Sequence, residues 1–381
     1  MATTISATRL AEMLDSDDSF ALVDTRPADS YDAWHVNGAR HFPFEPDAEM
    51  GAGDLEAFRD VVGDHDRVVT ICGKAISSSN LAAELESTTD EFDVTVVEGG
   101  MKAWSGVYDH VAVDVGEGAK VIQVQRRAKG CLGYVVGCAE TGEAVVIDPT
   151  DDVGEFERAA TEAGCTIGGV IDTHVHADHV SGGKRLSDRL DVPYYLGEGA
   201  AGRGLEREFT PLGRNEVLAV GELDVKALFT PGHTSDMLSI LLDDRAIFTA
   251  DTLHAHSTGR TELEFGEDEG ERGAELLYES LHRTVLAMPE EVVVLPGHVP
   301  VSADGKFEHG TPGEPIATTI RGARTGMDVL ALDKEAFVGR LADAGEKPVN
   351  YEEIIELNLG RREEPPEDRV ELELGPNNCS A

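Results

Sequence analysis

Four side chains that can bind a metal ion lie within a short segment in the middle of the chain. They are His174, His176, Asp178 and His179, and they directly follow an apolar run that is typical of a β-strand. Imidazole and carboxylate groups are ligands that zinc, iron and similar divalent metals accept. Burying four such groups together without a cation would be costly. The segment Thr173–His179, called the metal segment below, therefore predicts a metal site at the end of a strand.

Three later segments each place one more ligand-type residue at the tip of an apolar strand. Leu228–His233 and Val293–His298 both end in Pro-Gly-His, and Ile247–Asp251 ends in a carboxylate. Turn chemistry alone explains the Pro-Gly pairs but not the ligand that follows each strand. We expect these residues to join the metal segment. The predicted metal ligands are His174, His176, Asp178, His179, His233, Asp251 and His298.

The elements that must position these residues fall into two regions, which makes the chain an α/β protein of two domains. In the first region short apolar strands alternate with helix-like stretches, which indicates a mainly parallel sheet with helices on both faces. The second region opens with hairpin-like strands and continues with mixed strands and helices. Acid and Gly residues at Asp109–Lys120 mark the boundary. We predict domains at 1–115 and 116–381, the second with a helical extension and a charged tail from Arg361 along the surface.

The series HVHADH, PGHT, FTADT and LPGH resembles the metallo-β-lactamase superfamily over about residues 121–300. The resemblance implies an αββα sandwich with the metal site at one edge of its two sheets. It also implies a division of the ligands into two sites. His174, His176 and His233 match the first site, Asp178, His179 and His298 match the second, and Asp251 matches the bridging carboxylate.

One further segment, His256–Leu263, resembles the glycine-arginine-threonine-aspartate segment of the persulfide dioxygenases. That resemblance implies one iron(II) per chain, held by His174, His233 and Asp251. Two imidazoles and one carboxylate leave coordination positions open for O2 and a persulfide anion. Arg260 would bind the anionic substrate, or would serve a structural role beneath the site.

The same ligand set leaves a second reaction open. Because His176, Asp178, His179 and His298 are all retained, two zinc ions could activate a hydroxide for thioester hydrolysis. The glyoxalase-type hydrolases of the superfamily are the corresponding branch. Their cofactor would be two Zn(II) in place of one Fe(II).

The first domain contains a candidate nucleophile, Cys72, at the end of the apolar strand Val68–Cys72. Residues Gly73–Ser79 follow and lead into a helix, so backbone N–H groups would surround the thiol and favour its thiolate. Lys74 is the one cation of this loop and is a candidate for binding an anionic substrate. The alternative is a buried Cys that serves only packing. Cys131 precedes another strand and is interpreted as a packing residue.

The segments LVDTR, HVNGA and GGMKAW resemble the rhodanese family over residues 5–108. The resemblance implies that Cys72 carries a persulfide, although Ser77 stands where that family commonly has Arg. Together the two domains predict oxidation of a low-molecular-weight thiol persulfide by O2 to sulfite, coupled to sulfur transfer at Cys72. The alternative for the first domain is a docking module without chemistry. A homo-oligomer is compatible with the sequence.

Composition restricts the partners. The 73 acidic and 32 basic residues give a net charge of −41, which disfavours nucleic acid and anionic membranes as partners. Five Cys residues in an irregular pattern do not form a disulfide framework, and no apolar run is long enough to span a membrane. We therefore expect a cytoplasmic protein. The acidic excess is shared between residues 1–115 (−16) and 116–381 (−25), as in adaptation to a high-salt cytoplasm.

This shared acidic excess predicts that salt stabilises the fold. Molar potassium chloride shortens the screening length to ~3 Å and removes repulsion among the carboxylates. Thermal melting in low and in molar potassium chloride should give the higher Tm at high salt. A higher Tm at low salt would contradict the high-salt interpretation.

Overall fold

The structure, a computed structural model, describes residues 3–16, 18–341, 347 and 350–374, without the side chains of 266–269. It is an α/β protein with one parallel sheet in the first part of the chain and two facing sheets in the second. Both parts of the predicted fold class are confirmed. The tail residues Asn377–Cys379 lie outside the described residues.

The first sheet has five parallel strands in the order β1-β5-β4-β2-β3. Side chains alternate along β4, so Val69 and Ile71 pack with Leu10 on one face while Val68 packs with Phe58 on the other. Helices cover both faces because both are apolar. The elements are β1 (Thr3–Ile5), α1 (Ala7–Leu14), β2 (Ala21–Asp24), α2 (Ala28–Ala33), β3 (Arg40–His41), α3 (Ala52–Val62), β4 (Arg67–Ile71), α4 (Ile76–Thr88), β5 (Asp93–Val97) and α5 (Gly100–Trp104).

The second part contains a seven-stranded sheet in the order β12-β11-β10-β9-β8-β7-β6 and a six-stranded sheet in the order β13-β14-β15-β16-β17-β18. Val136 and Ile171 of the first pack against Phe248 and Leu295 of the second. The strands are β6 (Tyr108–Val113), β7 (Ala119–Arg126), β8 (Leu132–Cys138), β9 (Glu143–Ile147), β10 (Thr166–Ile171), β11 (Tyr194–Gly197), β12 (Thr210–Leu212), β13 (Val217–Val220), β14 (Leu223–Phe229), β15 (Leu238–Leu242), β16 (Ala246–Ala250), β17 (Val293–Pro296) and β18 (Thr318–Thr319).

Helices cover the outer face of each sheet, which completes the αββα sandwich. Phe156 of α6 and Leu186 of α7 pack in the cluster on the outer face of the seven-stranded sheet, and Leu277 of α8, Ile320 of α9 and Phe337 of α10 pack in the cluster on the outer face of the other. The helices are α6 (Val153–Glu162), α7 (Gly183–Leu190), α8 (Glu262–Ser280), α9 (Ile320–Gly326), α10 (Lys334–Leu341), α11 (Tyr351–Asn358) and α12 (Pro366–Leu372), with short 3-10 helices at Glu198–Arg203 and Asp328–Ala331 and a π-helical turn at Leu281–Val285.

Strand β6 belongs to the second sheet, because it pairs along its whole length with β7. The sequence predicts a boundary at residue 115, whereas this sheet begins at Tyr108. Only Val111 and Val113 of the edge strand are buried, and its polar residue Asp109 pairs with Arg127. In the sequence, an edge strand with so few apolar positions cannot be distinguished from a polar linker.

The charged tail is not confined to the surface. It forms α12, and Glu373 just beyond that helix is 2% exposed. Among the described residues, none of the helices has the length and apolar character needed to cross a membrane.

Candidate metal centre and thiol loop

Three of the predicted ligands converge at the edge where the two sheets meet. His174 follows β10, His233 follows β14 and Asp251 follows β16. The carboxylate Oδ2 of Asp251 lies 3.4 Å from Nε2 of His233 and 3.9 Å from Nε2 of His174. Strands β14 and β16 run in the same direction, so their carboxyl ends deliver both residues to one edge. We call His174, His233 and Asp251 the first donor group.

The facing atoms of the first donor group have no hydrogen-bond partner. His174 Nε2, His233 Nε2 and Asp251 Oδ2 are all buried and unpaired, and the three residues are at most 1% exposed. Buried polar atoms are nearly always satisfied in native proteins. Their donor atoms lie within 4.8 Å of one another, so a single divalent cation would satisfy all three. The residues present therefore fit a metal ion.

The second ring nitrogen, Nδ1, of each histidine in the first donor group is held by a hydrogen bond. Nδ1 of His233 lies 2.6 Å from the carbonyl oxygen of Arg260, and Nδ1 of His174 lies 2.9 Å from Oγ1 of Thr173. Burial lowers the pKa of both imidazoles, and for His174 the neighbouring imidazoles lower it further. Both rings are therefore neutral near pH 7, which is the form that binds metal through a free ring nitrogen.

Asp251 is held from two sides. Its Oδ1 lies 3.1 Å from Nε2 of His254 and 2.5 Å from Nδ1 of His298, which leaves Oδ2 toward the first donor group. The backbone of Gly259 passes close to that of Asp251, because a Cβ at position 259 would lie 1.9 Å from the carbonyl oxygen of Asp251. Ala250 has φ +44°, in the region that favours glycine. The backbone around the carboxylate is thus tightly constrained.

The two ring nitrogens of His176 have different surroundings, and its ring centroid lies 4.1 Å from that of His174. Nε2 of His176 lies 3.2 Å from Oδ1 of Asp148, and these two residues form a separate cluster with Asp172. Its Nδ1 is buried and has no hydrogen-bond partner. The same Asp148 accepts a hydrogen bond from the backbone N–H of Thr173 at 2.7 Å. One ring nitrogen of His176 thus contacts this neighbouring pair of carboxylates, while the other is buried and unpaired like the facing atoms of the first donor group, so the prediction of His176 as a ligand stays a prediction.

The remaining predicted ligands form a second donor group with a residue that the sequence assigned to packing. Asp178, His179 and His298 lie together with Cys131, with all four donor atoms within 4.8 Å of one another. Burial alone would raise the pKa of Cys131, but His179 and His298 outweigh it and lower that pKa to about 6. No local motif marks Cys131, because it reaches the group through pairing with His298, a residue distant in sequence.

Two polar residues near the end of the chain, which were not predicted, bind backbone groups of the metal segment and of the two residues directly after it. Asn358 at the end of α11 donates from Nδ2 to the carbonyls of His176 (2.9 Å) and His179 (2.8 Å), and its Oδ1 accepts from the N–H of Ser181 (2.9 Å). The buried carboxylate of Glu373 accepts from the N–H of Val180 (2.5 Å) and pairs with Arg126 (2.9 Å). Single polar residues in a charged tail carry no sequence pattern that would identify them.

Arg260 is 2% exposed, and its guanidinium is ion-paired with Glu262. In this position the side chain has almost no surface with which to meet an incoming anion. Its contact with the site is the backbone carbonyl that orients His233. Both roles that the sequence leaves open for Arg260, substrate binding and structural support, stay predictions.

Cys72 follows β4 and begins the thiol loop, Cys72–Ala75, which leads into α4. Ser78 donates from Oγ to the Cys72 sulfur at 3.3 Å. Burial alone would raise the pKa of Cys72, but hydrogen bonds from the Ser77 and Ser78 hydroxyls and from the backbone N–H groups of Ser78 and Lys74 lower it. The Lys74 side chain is exposed and pairs with Glu371 of α12 at 2.6 Å. Lys74 thus contacts the thiol through its backbone N–H. The hydroxyls of Ser77 and Ser78 also donate to the sulfur, and Ser77 stands where the rhodanese family commonly has Arg.

We predict that Asn358→Ala weakens the metal segment. Three buried backbone groups would lose their partners, which should cost about 3 kcal/mol of unfolding free energy and speed metal release. Asn80→Ala is the matched control, because Asn80 also donates to two backbone carbonyls but lies in the first domain. Denaturant unfolding and metal release to a chelator measure the effects. Equal metal release from both variants would contradict the role of Asn358.

We predict that the pKa of the Cys72 thiol is lower than that of an unperturbed cysteine, so that its thiolate forms at lower pH. The pH midpoint of alkylation, followed on the Cys72 peptide by mass spectrometry, should therefore be lower in the folded protein than in the denatured protein. Ser78→Ala removes a stabilising hydrogen bond and should move the midpoint upward. Ser79→Ala, whose hydroxyl bonds the Ala75 carbonyl instead, should not. An unchanged midpoint in Ser78→Ala would contradict this account.

Comparisons with known proteins agree with both domains. Residues 126–298 match the family model of the Metallo-beta-lactamase superfamily, and residues 6–106 match that of the Rhodanese-like domain. The mitochondrial persulfide dioxygenase ETHE1 of Bos taurus is 28% identical over 227 residues, which cover 58% of this chain and 81% of that protein. The hydroxyacylglutathione hydrolase of Rhodopseudomonas palustris is 30% identical over 191 residues, which cover 50% of this chain and 71% of that protein.

A solved structure gives the same assignment for the fold. The crystal structure of ETHE1 from Myxococcus xanthus is 26% identical, with a TM-score of 0.54, and the match covers 63% of this chain and 98% of that one. The relatives include proteins named as persulfide dioxygenases and proteins named as hydroxyacylglutathione hydrolases. The chain belongs to the metallo-β-lactamase superfamily and carries a rhodanese-like domain ahead of its metal-binding domain.

Proposed function

We propose that the protein oxidises a low-molecular-weight thiol persulfide with O2 at one iron(II) bound by the first donor group. The persulfide anion, O2 and water would give the free thiol, sulfite and a proton, so that O2 takes up the electrons that the outer sulfur atom loses. Iron(II) at this site would supply coordination positions for both O2 and the persulfide sulfur.

The observation that carries the proposal is the set of three unpaired atoms in the first donor group. They comprise two imidazole nitrogens and one carboxylate oxygen, which lie within 4.8 Å of one another in a group that does not include His176. A binuclear hydrolase site requires His176 as the third imidazole of the first metal. Two imidazoles and one carboxylate are instead the donor set of the non-haem iron oxygenases.

The surrounding residues would keep these donors oriented. The Arg260 carbonyl fixes the ring of His233, and His254 and His298 both contact Oδ1 of Asp251 so that Oδ2 remains toward the metal. Such outer contacts typically change metal affinity or activity by ~10-fold to 100-fold. The chain thus contributes the positioning, and the bound metal contributes the oxygen chemistry.

The rhodanese-like domain would supply or receive the sulfur atom at Cys72. A persulfide there would be stabilised by the same hydrogen-bond donors that lower the pKa of the thiol. Contacts made by helix α12 and by Glu373, which follows it, are consistent with cooperation of the two domains. Glu371 pairs with Lys74 of the thiol loop, and Glu373 accepts from Val180 beside the metal segment. The alternative is a docking domain in which Cys72 has no chemistry.

A second candidate function is hydrolysis of a hydroxyacyl thioester by two zinc ions. The observation that favours it is the retention of Asp178, His179 and His298 beside the first donor group, together with relatives named as hydroxyacylglutathione hydrolases. That reaction would convert the thioester and water into the thiol and the carboxylic acid, and two zinc ions held by these residues would supply activation of the water.

One experiment separates these candidates. Protein loaded anaerobically with iron(II), or with zinc, is assayed for oxygen uptake with glutathione persulfide and for hydrolysis of S-lactoylglutathione. We predict oxygen uptake and sulfite formation with iron, and a loss of at least about a hundredfold in His233→Ala. Cys165→Ser, a half-buried cysteine outside both donor groups, should retain full activity. Thioester hydrolysis by the zinc form without oxygen uptake by the iron form would contradict the proposal.

Sulfur transfer is tested separately with the full chain. Cys72→Ser should abolish transfer of sulfur from thiosulfate to a thiol while leaving oxygen uptake with free glutathione persulfide intact. Transfer that survives in Cys72→Ser would remove Cys72 as the sulfur carrier and leave the docking alternative.

A further inference from the structure

Two lysine ammonium groups at the thiol loop contact the same carboxylate, which belongs to α12 of the other domain. Lys74 lies in the loop, and Lys102 of α5 is held beside it because its backbone N–H donates to the Gly73 carbonyl at 3.2 Å. Oε1 of Glu371 lies 2.6 Å from Nζ of Lys74 and 3.5 Å from Nζ of Lys102. The Lys102 ammonium also donates to the backbone carbonyl of Glu367 at 3.0 Å. The proposed function leaves Lys102 without a role.

Helix α12 meets the thiol loop through polar contacts that are easily broken. None of its seven residues is buried, so the helix contributes no apolar core that would fix it in place. Exposed ion pairs are individually weak, because water and salt compete for both partners. Directly after the helix, the buried carboxylate of Glu373 pairs with Arg126 at 2.9 Å and anchors the chain. The contacts at the thiol loop can therefore open while this anchor remains.

The two lysines matter because a sulfur donor that reaches Cys72 is an anion. The net charge of −41 repels anions from the protein as a whole, and two ammonium groups beside the loop would offset that repulsion locally. Glu371 now takes up both of them. A carboxylate and a sulfur oxyanion present the same feature to an ammonium group, which is negatively charged oxygen. Cys72 itself is 3% exposed, so a donor reaches its sulfur only if neighbouring groups move.

We propose that α12 is an autoinhibitory strap, in which Glu371 occupies a site formed by Lys74 and Lys102 for the oxyanion group of thiosulfate. The inference rests on the proposed sulfur transfer at Cys72. Once Glu371 is displaced, the two ammonium groups bind the oxygen atoms of the donor and leave its outer sulfur free to meet the thiolate. The thiolate attacks that sulfur, the sulfur–sulfur bond of thiosulfate breaks, and sulfite leaves with the bonding electron pair. Cys72 then carries the persulfide.

Steady-state sulfur transfer from thiosulfate by the full chain tests this competition. Glu371→Gln removes the competing charge, so the KM for thiosulfate should fall by roughly twofold to fivefold, the effect of one exposed ion pair, with kcat unchanged. Adding Lys102→Gln to Glu371→Gln should reverse this gain. Glu367→Gln is the matched control, because it removes one charge from the same helix while Glu367 contacts Lys102 through its backbone carbonyl. Its KM should equal that of the wild type.

Alkylation of Cys72 gives a second measurement that does not require sulfur transfer. Iodoacetate is an anion, whereas iodoacetamide is neutral and of similar size, so the ratio of their rates reports the charge that a reagent meets on its way to the thiol. Both reagents react with the same thiolate, so a change in its pKa cancels from the ratio. Glu371→Gln should raise the ratio of the iodoacetate rate to the iodoacetamide rate. The double variant with Lys102→Gln should return it to the wild-type value.

A KM for thiosulfate in Glu371→Gln equal to that of the wild type would overturn the autoinhibitory strap, and so would an unchanged alkylation ratio. Equal effects of Glu371→Gln and Glu367→Gln would also overturn it, because they would show a general effect of surface charge. Failure of the proposed function has a different signature. Sulfur transfer that survives in Cys72→Ser would remove the sulfur carrier, and the alkylation ratio would still decide whether Glu371 competes with anions for the two lysines.

Discussion

The cost of burying unpaired imidazole and carboxylate groups is the constraint on which the rest of this structure depends. His174, His233 and Asp251 have almost no exposed surface, and the atoms that face one another have no protein partner. Removing such groups from water is unfavourable unless a cation or hydrogen bonds replace the lost solvation. The core between the two sheets can form around these strand ends only if that cost is met. A bound metal ion would meet this cost, and in the proposed function it would also be the reactive centre.

The elements around the centre can be understood as supports for this arrangement. Parallel strand directions bring separate chain segments to one edge of the sandwich, and Gly259 lets the backbone pass close to Asp251. Further along the chain, Asn358 binds the backbone of the metal segment, and Glu373 accepts a hydrogen bond from the N–H of Val180 directly after that segment. Because Glu371 of α12 contacts Lys74, helix α12 and the residue that follows it connect the thiol loop with the region of the metal segment. This physical connection is the basis for considering the two domains as one sulfur-handling unit.

Much of the fold could be predicted because it follows from periodic patterns. Strands such as β2 and β9 are continuous apolar runs, and His233 and His298 each follow an apolar strand that ends in Pro-Gly. Edge strand β6 was assigned to a linker because it buries only two residues. Cys131 and Asn358 could not be predicted, since each acts through contacts that are distant in sequence and neither belongs to a local motif. Side-chain direction was also beyond the sequence, as the turn of His176 toward Asp148 shows.

The central claim is that the first donor group binds one iron(II) and leaves positions open for small ligands. Nitric oxide added to the anaerobic iron(II) protein tests this directly by electron paramagnetic resonance, because it occupies an open position and makes high-spin iron(II) detectable. We predict a nitrosyl signal that accounts for one iron per chain, changes when a thiol persulfide is added, and is absent from His233→Ala. A protein that retains two zinc ions per chain and gives no nitrosyl signal after iron loading would contradict the account.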